Sequence, residues 1–194
     1  MESQKDWRRQ TLVARDRLST SEVADKSAAI IEQLFRLNEF RKCRSVMFFA
    51  SFRSEVETGA AISRCLELGV VVALPLAIPA SRRLEPRLVS NPASQLRSGY
   101  CGILEPDPEH TKIMDPKELE VVVVPGSVFD LQGGRIGYGG GFYDRFLQME
   151  APQALRIGLA FALQVRSEPL TLADHDQRLD LLVTEERVNV CRRR

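Results

Sequence analysis

Val121-Val122-Val123-Val124-Pro125-Gly126 is the stretch that decides the fold. Four consecutive β-branched residues suit a central strand covered on both faces, and the Pro-Gly pair ends it. Working outward, Ser45-Val46-Met47-Phe48-Phe49-Ala50 is a second short, almost wholly apolar run. It reads as another strand buried on both sides, as in a parallel sheet. A helix follows over residues 58 to about 68 and Gly69 ends it; residues 70–74 then form a strand stopped by Pro75. Strand, helix, strand is the usual route to parallel neighbours. Downstream, residues 142–149 read as a helix, 155–160 as a strand and 181–184 as a last strand. The first 37 residues read as two helices. Ser19 and Glu22 fit a capping box for the second, and Ile30, Ile31, Leu34 and Leu37 form its apolar face. Residues 76–116 hold six of the ten prolines and read as loops with short antiparallel strands. The alternation predicts a three-layer α/β/α sandwich with a mostly parallel, Rossmann-like central sheet, preceded by two N-terminal helices. Ligands in such sheets bind beyond the carboxyl ends of the strands. That puts the segments after Ala50, Leu74, Val124 and Val183 at any active site.

The chain has 194 residues, and 1–194 reads as one domain. With 44% hydrophobic and 27% charged residues it is neither collagen-like nor disordered. Lys and Arg number 27 against 26 Asp and Glu, a balance that argues against coating a nucleic-acid backbone. The longest apolar run, residues 69–80, is interrupted by Pro75 and Pro79, so no membrane span is expected. Residues 1–17 are charged and lack a signal-peptide core, which predicts a cytoplasmic protein. Cys43, Cys65, Cys101 and Cys191 are far apart, with no C-x-x-C pair, and read as reduced, mostly buried small hydrophobes. His110 and His175 are too few for a multi-histidine metal centre.

Six of the 12 glycines fall in Gly133-Gly134-Arg135-Ile136-Gly137-Tyr138-Gly139-Gly140-Gly141, followed by Phe142-Tyr143-Asp144-Arg145. Glycines let backbone N–H groups turn toward a phosphate, and a helix start adds its positive dipole end. Arg135 and Arg145 supply charge. The segment is no P-loop, since Gly-Lys-Ser/Thr is missing. It also misses the dinucleotide fingerprint, because Phe142 takes the place of the third glycine. A tight structural turn is the other reading of the glycines. Tyr138, Phe142 and Tyr143 offer flat faces to a ring-shaped ligand. Asp144 suits either a Mg²⁺ bound to phosphate oxygens or simple complementation of the helix dipole.

Pro125-Gly126-Ser127-Val128-Phe129-Asp130 and the glycine segment together resemble the signature of the 5-formyltetrahydrofolate cyclo-ligase family, also called 5,10-methenyltetrahydrofolate synthetases. Further blocks resemble the family in order: Lys5 and Arg9; Glu55-Val56-Glu57-Thr58; Gly102-Ile103-Leu104-Glu105-Pro106; and His175-Asp176-Gln177-Arg178-Leu179-Asp180 with Val183-Thr184-Glu185. The resemblance implies a ligase that closes 5-formyltetrahydrofolate to 5,10-methenyltetrahydrofolate while ATP goes to ADP and phosphate. It implies that Lys5, Arg9, Arg135, Ile136, Gly137, Tyr138, Gly139, Gly140, Gly141, Phe142 and Tyr143 bind ATP, with Arg135 and Lys5 acting in catalysis. Phe52, Glu57 and the stretch Tyr138, Gly139, Gly140, Gly141 and Phe142 would contact the folate. Asp144 and Asp180 would hold Mg²⁺. Small-molecule substrates, no nucleic-acid or membrane partner, and a monomer are expected.

Several of these residues have plainer readings. Lys5 and Arg9 sit four apart on a helix and read equally as a solvated face. Glu57 reads also as a cap for the following helix, His175 as an ordering residue for Asp176 or Asp180, and Arg192-Arg193-Arg194 as a solvated tail. Because fold does not fix function, a sugar-phosphate isomerase, a CoA transferase and a non-catalytic folate or nucleotide sensor stay open on a related scaffold.

Overall fold

Val121 and Val123 turn to one face of the central sheet and Val122 and Val124 to the other, and all four are buried. The computed structural model describes residues 3–191; the Arg192-Arg193-Arg194 tail lies outside the described residues. In chain order the helices are α1 (Gln4–Arg15), α2 (Thr20–Arg36), α3 (Asn38–Arg41), α4 (Gly59–Glu67), α5 (Pro92–Gln95) and α6 (Phe142–Met149). The strands are β1 (Ser45–Met47), β2 (Val71–Ile78), β3 (Arg83–Leu88), β4 (Leu96–Ser98), β5 (Leu104–Pro106) and β6 (Val121–Val124). They continue with β7 (Val128–Asp130), β8 (Arg135–Ile136), β9 (Leu155–Leu159), β10 (Val165–Arg166), β11 (Leu181–Val183) and β12 (Val188–Val190).

The main sheet has seven strands in the order β12-β11-β9-β6-β1-β2-β3. From β11 to β2 all neighbours are parallel, while β12 and β3 close the edges antiparallel. One face carries α2, through Val23, Ile30, Ile31 and Leu34, and α4, through Ala61, Ile62 and Cys65. The other carries α6 through Phe146 and Leu147. The expected α/β layering with a mostly parallel sheet is thus present, and the helices cover its apolar faces as a parallel sheet requires. α2 starts at the expected capping box, in which Ser19 and Glu22 satisfy each other's backbone N–H groups.

Two parts of the sequence reading need correction. β2 does not stop at Pro75 but runs on to Ile78, paired with β3. Pro75 faces Pro86 across that ladder. The Val89 N–H donates to the Val72 carbonyl, which sets the alternation and puts the two prolines at a non-hydrogen-bonded pair, where the missing N–H groups are not needed. Residues 76–116 hold short antiparallel strands as expected: the end of β2 with β3, and the separate β4–β5 pair. Cys43 and Cys65 are buried, and desolvation pushes their thiols up to about 11 and about 12, so both stay protonated and inert. Cys101 departs from the expectation and is exposed.

Candidate active site

The chain runs from β1 outward to β2 and returns to β6 on the other side of β1. Strand order therefore reverses between β1 and β6, and the carboxyl ends of those strands open a crevice. Phe49 and Glu55 after β1, Pro125 and Gly126 after β6, Leu159 at the end of β9, and Arg15 from α1 line it. Gln164 holds its floor: its side-chain amide donates to the Gly126 and Ser127 carbonyls at 3.0 and 3.1 Å and its Oε1 accepts from the Phe161 N–H.

The glycines divide into two groups. Gly133 and Gly134 build the tight turn of the β7–β8 hairpin. The fully buried Asp130 pins that turn, its carboxylate accepting the N–H groups of Gln132, Gly134 and Leu170 at 2.7–2.8 Å. Gly133 has φ +84°, and a Cβ there would stand 2.5 Å from the Leu179 carbonyl oxygen, so no other residue fits. Gly137, Gly139, Gly140 and Gly141 form the open loop between β8 and α6. Gly141 is the N-cap of α6 at φ +66° with no side-chain cap, and the space where its Cβ would be is empty. The first N–H groups of α6 are left available to an anion.

Around this loop stand the charges. Arg135 is buried and pairs with Asp144 at 2.8 Å, and its guanidinium carbon lies 5.8 Å from the Tyr143 ring centre. Asp144 also accepts the Gln177 N–H at 3.1 Å. Both contacts fall on Oδ1, which leaves Oδ2 without a protein partner among the described residues. A single carboxylate oxygen without a protein partner in the first turn of α6 suits Mg²⁺, which keeps several waters and takes its other ligands from phosphate. Among the described residues no three His, Cys, Asp or Glu side chains gather to hold a metal by themselves. Asp180 is buried just before β11 and its Oδ2 accepts the Arg156 N–H at 2.8 Å. Arg156 in turn reaches the Gln177 side chain at 3.1 Å, so a chain of contacts leads from Asp180 back to Asp144.

Tyr138 ties the loop to the crevice. Its hydroxyl donates to Glu55 Oε1 at 2.5 Å and accepts from Arg15 Nη2 at 3.1 Å. The second oxygen of Glu55 accepts the Phe52 N–H at 3.0 Å, and Arg15 Nε donates to Ser54 Oγ at 3.1 Å. Arg15 and Glu55 are buried beneath the loop, while Tyr138, which joins them, is half-exposed. Burial raises the Tyr138 and Tyr143 phenols well above their ordinary range, and both stay neutral. Phe52 is half-buried with Arg53 over its ring at 5.1 Å. Phe142 meets Tyr100, whose ring centre is 6.2 Å away. Glu105, buried, holds Tyr100 by accepting its backbone N–H at 3.1 Å. Aromatic faces thus converge from three separate segments. Glu57 is exposed, and its N–H donates to Ser27 Oγ; α4 begins without a side-chain cap.

The two predicted cations of α1, Lys5 and Arg9, are exposed, and Arg9 pairs with Asp6 at 3.3 Å. The side chains that turn to the loop are Arg8, whose Nη1 lies 3.6 Å from where a Gly139 Cβ would be, and Arg15. Sequence reading passed over both, as it did Glu55 as a network member and Tyr100. A signal for the arginines was present: seven residues is two helical turns, so Arg8 and Arg15 share a face.

Burial pushes the Glu55 carboxyl above its usual value of 4.5, partly offset by the Tyr138 and Phe52 hydrogen bonds and the Arg15 charge. Folded Glu55 therefore holds its proton to higher pH than in the unfolded chain, and its contribution to stability falls as pH rises through that window. Relative to Glu55→Gln, which cannot titrate, the wild type should gain stability as pH is lowered from about 7 toward about 4.5. Urea midpoints across that range check this; a difference that is flat, or that widens against the wild type on acidification, contradicts it.

Fold and site together define an α/β enzyme with an open glycine loop beside the crevice between β1 and β6. The chain belongs to the 5-formyltetrahydrofolate cyclo-ligase family, whose sequence model matches residues 1–185. It is 30% identical over 178 residues to a probable 5-formyltetrahydrofolate cyclo-ligase of Schizosaccharomyces pombe, covering 86% of this chain and 87% of that protein. It is 32% identical over 145 residues to the 5-formyltetrahydrofolate cyclo-ligase of Escherichia coli, covering 74% and 79%. The fold superimposes on the solution structure of Aquifex aeolicus 5,10-methenyltetrahydrofolate synthetase with a TM-score of 0.85 at 30% identity, over 98% of this chain and 93% of that one.

Proposed function

We propose that this chain closes 5-formyltetrahydrofolate to 5,10-methenyltetrahydrofolate at the expense of ATP, releasing ADP and phosphate. The observation that carries the reading is the Tyr138–Glu55 hydrogen bond, which joins the glycine loop to the crevice loop after β1. One loop then serves a polyphosphate on one side and a flat ring system on the other. An amide-like formyl oxygen is a poor leaving group. Transfer of the γ-phosphate to that oxygen makes it a good one, after which N10 attacks the formyl carbon, the proton on N10 is lost and phosphate departs. Such phosphoryl transfer asks the protein for positioning and charge, not for a nucleophilic side chain.

In this reading ATP lies along Gly137, Tyr138, Gly139, Gly140 and Gly141, with the N–H groups at the start of α6 toward its phosphates. Ile136, Phe142 and Tyr143 flank it, and Arg135, Lys5 and Arg9 supply charge. The folate ring packs by Phe52 and Phe142, with Glu57 and the Tyr138 side of the loop also in contact. Asp144, through its open Oδ2, would hold Mg²⁺, and Asp180 joins it if the Arg156 contact yields. Mg²⁺ would neutralise phosphate charge during transfer. No described helix is long and apolar enough to cross a membrane. The proposal extends to residues 1–194 as a single domain and to a cytoplasmic monomer acting on small molecules, with neither nucleic acid nor membrane as partner. Stoichiometry tests it: the purified chain should release one phosphate per 5-formyltetrahydrofolate consumed, and folate consumption without phosphate release would contradict it.

A further inference from the structure

Arg53 stands in a backbone conformation that its residue type disfavours. Its φ is +54°, in the left-handed region where glycine is at ease and a long side chain is not. The turn around it is held from both shoulders without its help. On one side the Phe52 N–H donates to Glu55 Oε2 at 3.0 Å, and the Glu55 N–H donates to the Phe52 carbonyl at 3.3 Å. On the other, Ser54 Oγ accepts from Arg15 Nε and donates to Asp16 Oδ1. Arg53 is exposed, and its guanidinium lies over the Phe52 ring at 5.1 Å with no ion pair or side-chain hydrogen bond among the described residues. The turn thus presents a cation whose own contacts do not account for the strain. Its surroundings give it a direction. The turn Tyr100–Gly102 reaches Phe52, since a Cβ on Gly102 would stand 4.0 Å from Phe52 Cε2. Tyr100 meets Phe142 beside the glycine loop, with ring centres 6.2 Å apart. An aromatic rim therefore runs from the loop through Phe142, Tyr100 and Phe52, and Arg53 is the charge at its far end.

We infer that Arg53 binds the glutamyl carboxylates of 5-formyltetrahydrofolate. This inference rests on the folate reading of the crevice, and adds the side chain that takes the charged tail of that substrate. In that reading the formyl oxygen meets the γ-phosphate at the glycine loop, so the p-aminobenzoyl glutamate extends along the rim away from it. The group that arrives at the far end carries two carboxylates. A guanidinium fork pairs with a carboxylate through two parallel N–H···O bonds, which a lysine ammonium does not match. Stacking on Phe52 occupies the face of the guanidinium and leaves the N–H donors on its edge open to such a partner.

Steady-state kinetics on the full-length wild type, Arg53→Gly and Arg53→Lys test this with two substrates. One is 5-formyltetrahydrofolate; the other is 5-formyltetrahydropteroyl methylamide, which keeps the rings and the amide and lacks both glutamyl carboxylates. Glycine accepts φ +54° without strain, so Arg53→Gly should fold. It should raise KM for 5-formyltetrahydrofolate by roughly 3- to 10-fold, with kcat and KM for ATP holding, as loss of uniform binding requires. Arg53→Lys should recover part of the loss. For the methylamide, wild type and Arg53→Gly should share one KM. An unchanged KM for 5-formyltetrahydrofolate in Arg53→Gly overturns the inference alone. So does an equal rise for the methylamide, which would mean that Arg53 only shapes the Phe52 wall, and so does a rise in KM for ATP instead. If the wild type turns over neither substrate, the inference and the proposed function fall together.

Discussion

Arg135→Ala should cost about 3 kcal/mol of folding stability and lower kcat/KM by roughly 10²- to 10³-fold. The Arg135 side chain is 4% exposed and its partner Asp144 18%. Removing the guanidinium leaves the Asp144 carboxylate partly desolvated, with only the Gln177 N–H to stabilise it. A carboxylate stranded in this way is the costly outcome of breaking a buried pair, more costly than never having had the pair. The loss reaches function because Asp144 lies in the first turn of α6, two residues after its open N-terminus begins. A displaced Asp144 no longer holds its unpartnered Oδ2 in place at the start of α6. Arg135→Lys should recover part of the stability but less of the activity, since an ammonium restores charge without the fork. Urea denaturation and steady-state kinetics on the two variants give both numbers. A stability loss under about 1 kcal/mol for Arg135→Ala would mean that the pair behaves as an exposed one.

Arg15→Ala should be nearly as damaging, at about 3 kcal/mol, through a different route. Arg15 makes no direct ion pair with Glu55; the Tyr138 hydroxyl sits between them, accepting from one and donating to the other. Without the guanidinium, Glu55 keeps its hydrogen bonds but loses the nearby positive charge that favours its ionised form. Its pKa should rise further, and the acid-side gain in stability described above should extend to higher pH. The loop anchored by Tyr138 also loosens, so KM should rise for both ATP and 5-formyltetrahydrofolate. Tyr138→Phe deletes one hydroxyl and leaves a buried carboxylate oxygen short of a donor, which should cost about 1–3 kcal/mol. Unchanged KM values in Arg15→Ala would show that the network does not position the loop.

The layers of this fold were legible because they rest on side-chain periodicity. Val121–Val124 and Phe142–Met149 are a strand and a helix over the very residues expected, since burial on two faces and an amphipathic stripe leave plain marks in sequence. Pro75 misled because its effect depends on which neighbours a strand has. It breaks a ladder only where its N–H would be used, and the pairing with Pro86 is visible only in three dimensions. The β7–β8 hairpin escaped notice for a related reason. Its strands are three and two residues long, too short for any period, and what fixes them is the buried Asp130 carboxylate. That residue also explains why the glycines serve two ends, a turn that Asp130 clamps and a loop open to a ligand. At the site, motif matching drew attention to Lys5 and Arg9 because of their order in the chain, whereas facing the loop depends on angle around the helix, which favours Arg8 and Arg15. Polar networks such as Arg15–Tyr138–Glu55 join distant residues; Arg15 and Tyr138 are 123 apart in sequence. No local pattern announces such a contact.

Ring closure in this chain should be driven by ATP at the glycine loop. The most direct measurement follows the methenyl chromophore when the purified chain is mixed with 5-formyltetrahydrofolate and Mg²⁺, with and without ATP. Absorbance should rise only when ATP is present, and the rise should saturate with ATP. No rise, or a rise that is the same without ATP, would contradict it.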